Sequence, residues 1–330
     1  MKLGKIKYIL PLVTSVLLTG CNFITIKDNN DDVQEITIYE TVDKYYEKYD
    51  LKQKGGRLQN ELHKMCFEKH KNYVTYGQVN SYFSKKTLAD GKYQNSVEAV
   101  SDGSSKNQWF YTGKEAGGVG TREHVWPCAN SGSLWVHDSD SGLHYVDYSY
   151  YVGGGSDLYH VRTSNSNVNT ARGNSRFVDF DDPEMESFKS EVVSVGENNG
   201  KYNLLVQGAE KTTAGNYQYA NRCEPDDHMK GDIARILLYV WVHYSDIGVT
   251  PEGKVKSGKY EYKYSDMIGS LALTNIIGYS SLSKCQNMLK EWNRIDPPSE
   301  VEKLRNETVS KIQGNRNPFV DYPELVDNLF

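Results

Sequence analysis

The chain has 330 residues, a formal net charge of −5 and a pI near 5.9. A globule of this length hides about 75% of the surface its unfolded chain exposes, so a core can form without disulfide or metal staples. The acidic balance argues against a partner held by overall positive charge, although phosphates see only the local field, and a bound cation reverses its sign.

The chain opens Met1-Lys2-Leu3-Gly4-Lys5-Ile6-Lys7, a positive start, followed by an apolar run from Tyr8 to Leu18. The run is short for a membrane span and reads as a signal peptide. It closes with Leu18-Thr19-Gly20-Cys21, which resembles a bacterial lipobox, so residues 1–21 are expected to be a lipoprotein signal with Cys21 as the lipidated residue. The polar, acidic segment 22–37 reads as a flexible tether. Residues 38–330 are expected to form a single domain, monomeric and anchored on the outer face of the cell membrane.

Four further cysteines, Cys66, Cys128, Cys223 and Cys285, allow three pairings or none. The absence of a Cys-x-x-Cys pair argues against structural zinc.

Leu58, Leu62, Met65 and Cys66 recur at helical spacing over 58–72, with His70 on the same face as a packing residue. Residues 73–77 read as a short extended piece. Residues 79–106 read as loops with one or two short strands, and Gln108–Thr112 as a strand. After Gly117-Gly118-Val119-Gly120 comes Thr121-Arg122-Glu123-His124-Val125-Trp126-Pro127. The Gly-rich segment from about 130 to 155 reads as a long connection. Asp157–Arg162 reads as a second strand, leading into a helix capped by Ser164 or Ser166 and running to about Gly173. Tyr202–Gln207 reads as a strand. Gly231–Tyr244, with an apolar face of Ile233, Ile236, Leu237, Val240, Trp241 and Tyr244, is expected to be the central core helix. Ser281–Ile295 reads as another amphipathic helix. A last one starts near Glu300, with Val301, Leu304, Thr308 and Ile312 inward and Gly314 closing it.

Taken singly, the polar residues of these segments are unremarkable. Glu123 beside His124 reads as a surface acid next to a packed imidazole, and adjacent strand residues point to opposite faces. Asn169 and Arg172 share a helix face at i, i+3.

Taken together and in order, Thr121–Pro127, Asp157–Arg162 and Val168-Asn169-Thr170-Ala171-Arg172-Gly173-Asn174 resemble the endonuclease I family of extracytoplasmic bacterial nucleases. The likeness continues in Lys230–Tyr239 and in Gln313–Asp321, so it covers roughly residues 50–325. It departs at Thr163, where many relatives carry proline, and after Pro127. The resemblance implies an α+β fold, a ββα-metal or His-Me finger core wrapped by additional helices. It implies one divalent ion, Mg²⁺, with Mn²⁺ or Ca²⁺ as structural substitutes, held by Glu123 and Asn169. It implies His124 as general base, with Arg172 and Arg122 at the phosphate; for Arg122 a structural salt bridge is the equal alternative. His160 and Arg162 match the family's second strand and are expected to orient the site. The implied activity is largely non-specific cleavage of DNA, with RNA as a second candidate, leaving 5′-phosphate ends. The competing expectation is a catalytically inactive surface lipoprotein that binds a polymer on the same fold. A zinc hydrolase is disfavoured, since the chain lacks His-Glu-x-x-His.

Overall fold

The computed structural model describes residues 42–130, 148–208, 221–249, 251–258 and 260–330. The expected signal peptide, the lipobox with Cys21 and the tether lie outside the described residues. The chain divides into two compact units, residues 1–49 and 50–330. In the first, the described residues form one short helix, α1 (Val42–Tyr46).

In the second unit, α2 (Gly56–Lys69) and α3 (Val79–Tyr82) precede three short two-stranded ribbons. The ribbons pair β1 (Lys86–Thr87) with β2 (Tyr93–Gln94), β3 (Asn107–Gln108) with β4 (Glu115–Ala116), and β5 (Thr121–His124) with β6 (Val161–Ser164). Helix α4 (Ser166–Arg172) follows β6 directly, and β7 (Arg176–Phe177) starts four residues later. Then come β8 (Val192–Val195), β9 (Leu204–Gln207) and β10 (Arg222–Pro225), which join β7 in a mixed sheet of order β7-β10-β9-β8. The long helix α5 (Asp227–Tyr244) leads to a hairpin of β11 (Lys254–Ser257) and β12 (Tyr260–Lys263). The chain closes with α6 (Leu273–Ile276), α7 (Leu282–Ile295), α8 (Glu300–Gln313), α9 (Pro318–Asp321) and α10 (Leu325–Leu329). The mixture is α+β, as expected.

Helix α5 is the axis of the core. Its N-cap Asp226 accepts from the His228 N–H, and its residues are buried nearly all round, Trp241 being half-exposed. It packs against α2, α7, α9 and β10. Gly231 allows a close approach to α7: a Cβ there would stand 1.8 Å from the Asp296 carbonyl at the end of that helix.

Several boundaries differ from the sequence reading for identifiable reasons. Residues 157–160 form a turn, not the start of β6. The Asp157 carboxylate accepts from the Tyr159 N–H at 2.8 Å, and its carbonyl accepts from the N–H groups of His160 and Val161. The strand read over Gln108–Thr112 stops at Gln108, because Tyr111 adopts φ 69°. Helix α4 is capped by Asn165 instead of a serine; its side chain accepts from Asn167 N and Val168 N. Helix α8 buries Glu302, Arg305, Asn306 and Gln313 and leaves Val301, Leu304 and Ile312 half-exposed. No disulfide joins Cys66, Cys128, Cys223 and Cys285 to one another, and Cys66, Cys223 and Cys285 are buried.

Candidate active site

The site is built on the ribbon of β5 and β6 and on the helix that follows. Thr121 pairs with Ser164, and His124 with Val161. Gly120 brings the strands together at their start, where a Cβ would lie 2.2 Å from the Ser164 carbonyl. Among the described residues the other edge of β5 has no strand partner, and side chains of α4 cover it. Asn169 Nδ2 donates to the Arg122 carbonyl at 3.0 Å and to Thr121 Oγ1 at 3.2 Å. The Arg172 guanidinium donates to the carbonyls of His124 at 3.2 Å and Val125 at 2.5 Å. Carbonyls two residues apart share one side of a strand, and residues three apart share one face of a helix, so a single turn of α4 suffices.

Thr121, Arg122, Glu123 and His124 line a cavity of about 430 Å³, with Pro127, Asn169 and Arg172 among its other walls. Neighbouring strand side chains normally face apart. Here both Glu123 and His124 line one cavity at the end of β5, where the backbone bends directly afterwards at Val125 and Trp126.

Glu123 is buried at 2% exposure. Its Oε1 accepts from the Tyr111 hydroxyl at 2.6 Å and faces Arg172 at 3.5 Å, and Oε2 has no hydrogen-bond partner among the described residues. Burial raises its proton affinity, with Arg172 and Tyr111 opposing. Because the Asn169 Nδ2 faces a carbonyl, which can only accept, the amide is oriented with Oδ1 turned elsewhere; Oδ1 has no hydrogen-bond partner among the described residues.

His124 Nε2 lies 2.8 Å from the Gly155 carbonyl. A carbonyl cannot donate, so Nε2 carries the proton and Nδ1 the lone pair. Burial, countered by the Gly155 hydrogen bond and reinforced by Arg122 and Arg172, pushes the imidazole down to about 4, so it is neutral at neutral pH.

The two arginines differ. Arg172 is 1% exposed and its guanidinium is occupied by carbonyls and by Glu123, so it stands behind the acid. Arg122 is half-buried, stacks on the Tyr76 ring at 3.9 Å and donates to the Tyr76 carbonyl at 2.7 Å. No carboxylate pairs with Arg122 among the described residues. Arg162 lies away from the cavity and grips Glu98 at 3.0 Å, a carboxylate that Arg305 also reaches at 3.2 Å.

Three contributors escaped the sequence reading: Tyr111, which holds Glu123; Gly155, which holds His124; and Tyr76, which carries Arg122. Only the Gly153–Gly155 run hinted at one of them, since a chain there can approach another closely.

A second group of metal-capable side chains sits in the core. His70, Asp157 and His243 have ligand atoms within 4.8 Å of one another and are all buried. The Asp157 oxygens are already taken by Tyr159 N, Gln313 Nε2 and the hydroxyls of Tyr239 and Tyr244. Four donors fill the two carboxylate oxygens, so Asp157 ties these elements of the core together, while the His70 ring nitrogens have no hydrogen-bond partner among the described residues.

The endonuclease I family model matches residues 52–324. An extracellular ribonuclease of Bacillus subtilis is 29% identical over 295 residues, covering 88% of this chain and 80% of that protein. An extracellular ribonuclease of Bacillus amyloliquefaciens is likewise 29% identical, over 89% of this chain and 81% of its own. The protein is by class a nuclease, a phosphodiester hydrolase. It belongs to the endonuclease I family. No helix among the described residues is long and apolar enough to cross a membrane.

Proposed function

We propose that the protein is a metal-dependent nuclease whose ββα-metal, His-Me finger core is the β5–β6 ribbon with α4. The observation that carries this reading is one cavity lined by Glu123, His124, Arg122 and Asn169. The donor set suits a hard divalent ion such as Mg²⁺: a carboxylate oxygen and an amide oxygen, each without a hydrogen-bond partner among the described residues. Glu123 and Asn169 are assigned to hold it; when bound, it would polarise the phosphate and stabilise the charge on the leaving 3′ oxygen.

His124 Nδ1 takes a proton from water as the water oxygen bonds to phosphorus and the 3′ oxygen departs, leaving a 5′-phosphate. The low proton affinity of the free imidazole keeps it available as a base. A substrate phosphate brings negative charge that offsets the two arginines and strengthens that base. Arg122 contacts the phosphate with the edge of a guanidinium stacked on Tyr76. Arg172 positions Glu123.

Contacts to the backbone alone give little sequence preference. The ribonuclease relatives support RNA as a substrate beside DNA. Their extracellular setting fits a domain spanning 38–330 held outside the membrane by a lipid on Cys21. Nicking of supercoiled plasmid and cleavage of a structured RNA, each with EDTA and then with added Mg²⁺, test the reading. Metal-restored cleavage supports it; polymer binding without cleavage would favour the inactive binding lipoprotein.

A further inference from the structure

His160 is fully buried at the end of the turn before β6 and is not among the residues lining the cavity of Glu123 and His124. Its ring is bonded on both sides. The Trp126 backbone N–H donates to Nε2 at 2.9 Å, and Nδ1 lies 2.6 Å from the Gly154 carbonyl. A backbone N–H can only donate and a carbonyl can only accept, so Nε2 bears the lone pair and Nδ1 the proton. The 3.1 Å approach of Nε2 to the Trp126 carbonyl is then a contact between lone pairs, not a hydrogen bond.

These bonds reach the two pieces of backbone that set His124. Gly154 precedes Gly155, whose carbonyl accepts from His124 Nε2, and Trp126 lies two residues beyond His124. Successive carbonyls of one glycine loop thus receive the N–H groups of two imidazoles, whose rings stand 5.5 Å apart. A glycine run has no side chains of its own to fix it, and each lost bond would leave a buried group unpaired.

We propose that His160 is a positioning residue, clamping the Gly154–Gly155 loop to the Trp126 backbone so that the Gly155 carbonyl holds the His124 ring with Nδ1 toward the cavity. The proposal rests on His124 being the base, and it predicts an effect on turnover, not on substrate capture. Burial and the neighbouring His124 push the His160 imidazole down to about 3, so it stays neutral and keeps one tautomer.

The test compares wild type, His160→Ala, His160→Gln and His124→Ala by two readouts. The first is kinetic. His160→Ala should lower kcat about 10- to 100-fold, as expected when a reacting group is misplaced by about an ångström, with KM nearly unchanged. His160→Gln, whose amide can both donate to Gly154 and accept from Trp126, should recover part of kcat. The second is the ¹⁵N spectrum of labelled histidines. His124 should be in the Nε2–H tautomer alone in wild type and a mixture of tautomers in His160→Ala. Full kcat in His160→Ala, or an unchanged His124 tautomer, would overturn the clamp. Should His160→Ala not fold, a His160→Gln variant that folds but matches His124→Ala in kcat overturns it as well. If His124→Ala is itself as active as wild type, the base assignment has failed, and the tautomer spectrum alone decides whether the clamp exists.

Discussion

The Tyr111 hydroxyl reaches Oε1 of Glu123 at 2.6 Å from a backbone turned to φ 69°. A non-glycine residue in this region costs about 1–3 kcal/mol and persists where surrounding contacts over-determine it. Those contacts include the Phe110 N–H on the Thr163 carbonyl at 2.8 Å and the Gly113 N–H on the Trp109 carbonyl at 3.0 Å. The strain aims a phenol at the buried acid and leaves Oε2 for the cavity.

Tyr111→Phe keeps the ring and removes that bond. It should weaken Mg²⁺ binding about 10-fold, as expected when the partner orienting a metal-binding carboxylate is lost. The midpoint of a Mg²⁺ titration, followed by activity and by calorimetry, reads this directly. An unchanged midpoint would show that Arg172 alone holds the carboxylate.

His124→Ala should lose at least ~100-fold in rate with its melting temperature near that of wild type, the cost of removing a general base. Near-normal turnover in a folded variant would end the assignment.

The two arginines should separate cleanly. Arg122→Ala should raise KM for polynucleotides and lower the slope of log affinity against log salt by about 1, as for one lost phosphate contact. Arg172→Ala removes a buried cation from beside a buried carboxylate and should destabilise the fold by about 3–5 kcal/mol. A denaturant melt that does not move in Arg172→Ala would return that residue to the phosphate.

Acid should destabilise the protein through its core imidazoles. His63, His70 and His243 are buried, and burial lowers the proton affinity of each, that of His70 to about 4. In the unfolded chain they titrate near about 6.5. Between these values the unfolded state binds protons that the folded state refuses, so the contribution of these three imidazoles to stability is level above neutrality and falls as pH drops from about 6.5 toward 4. Melting temperatures across this range should show the fall, and His70→Phe should make it shallower. A profile flat to pH 4 would contradict it.

Cys21→Ala should move the protein from the membrane fraction to the medium. Equal retention of both forms on membranes would dismiss the lipid.

What the sequence disclosed was what local pattern carries. Apolar positions at helical spacing announced α5 and α7, and the motifs resembling the endonuclease I family pointed to Glu123, His124 and Asn169, which line one cavity. What it concealed depends on partners far along the chain. Helix α8 was assigned an inward apolar stripe, yet it buries Glu302 against Arg235 at 2.6 Å and Arg305 against Glu98 at 3.2 Å. Neither pairing leaves a mark on periodicity. Arg172 looked like a cation for substrate because no local feature shows that the carbonyls of β5 would claim it. The alternation in 157–162 suggested a strand, and a carboxylate bonding two residues ahead folded it into a turn.

That turn is fastened from the far end of the chain. Gln313 accepts from the Leu158 N–H at 2.7 Å and donates to Asp157, Arg305 donates to the carbonyls of Leu158 and Val161, and the Tyr159 hydroxyl meets the Asn306 and Asn315 carbonyls. The ribbon that bears the acid and the imidazole is therefore braced by residues 155 and 147 positions further along the chain. A chain cut short before α8 would lack these partners, so the turn that leads into β6 is expected to lose its shape in such a truncation even though every residue lining the cavity is present.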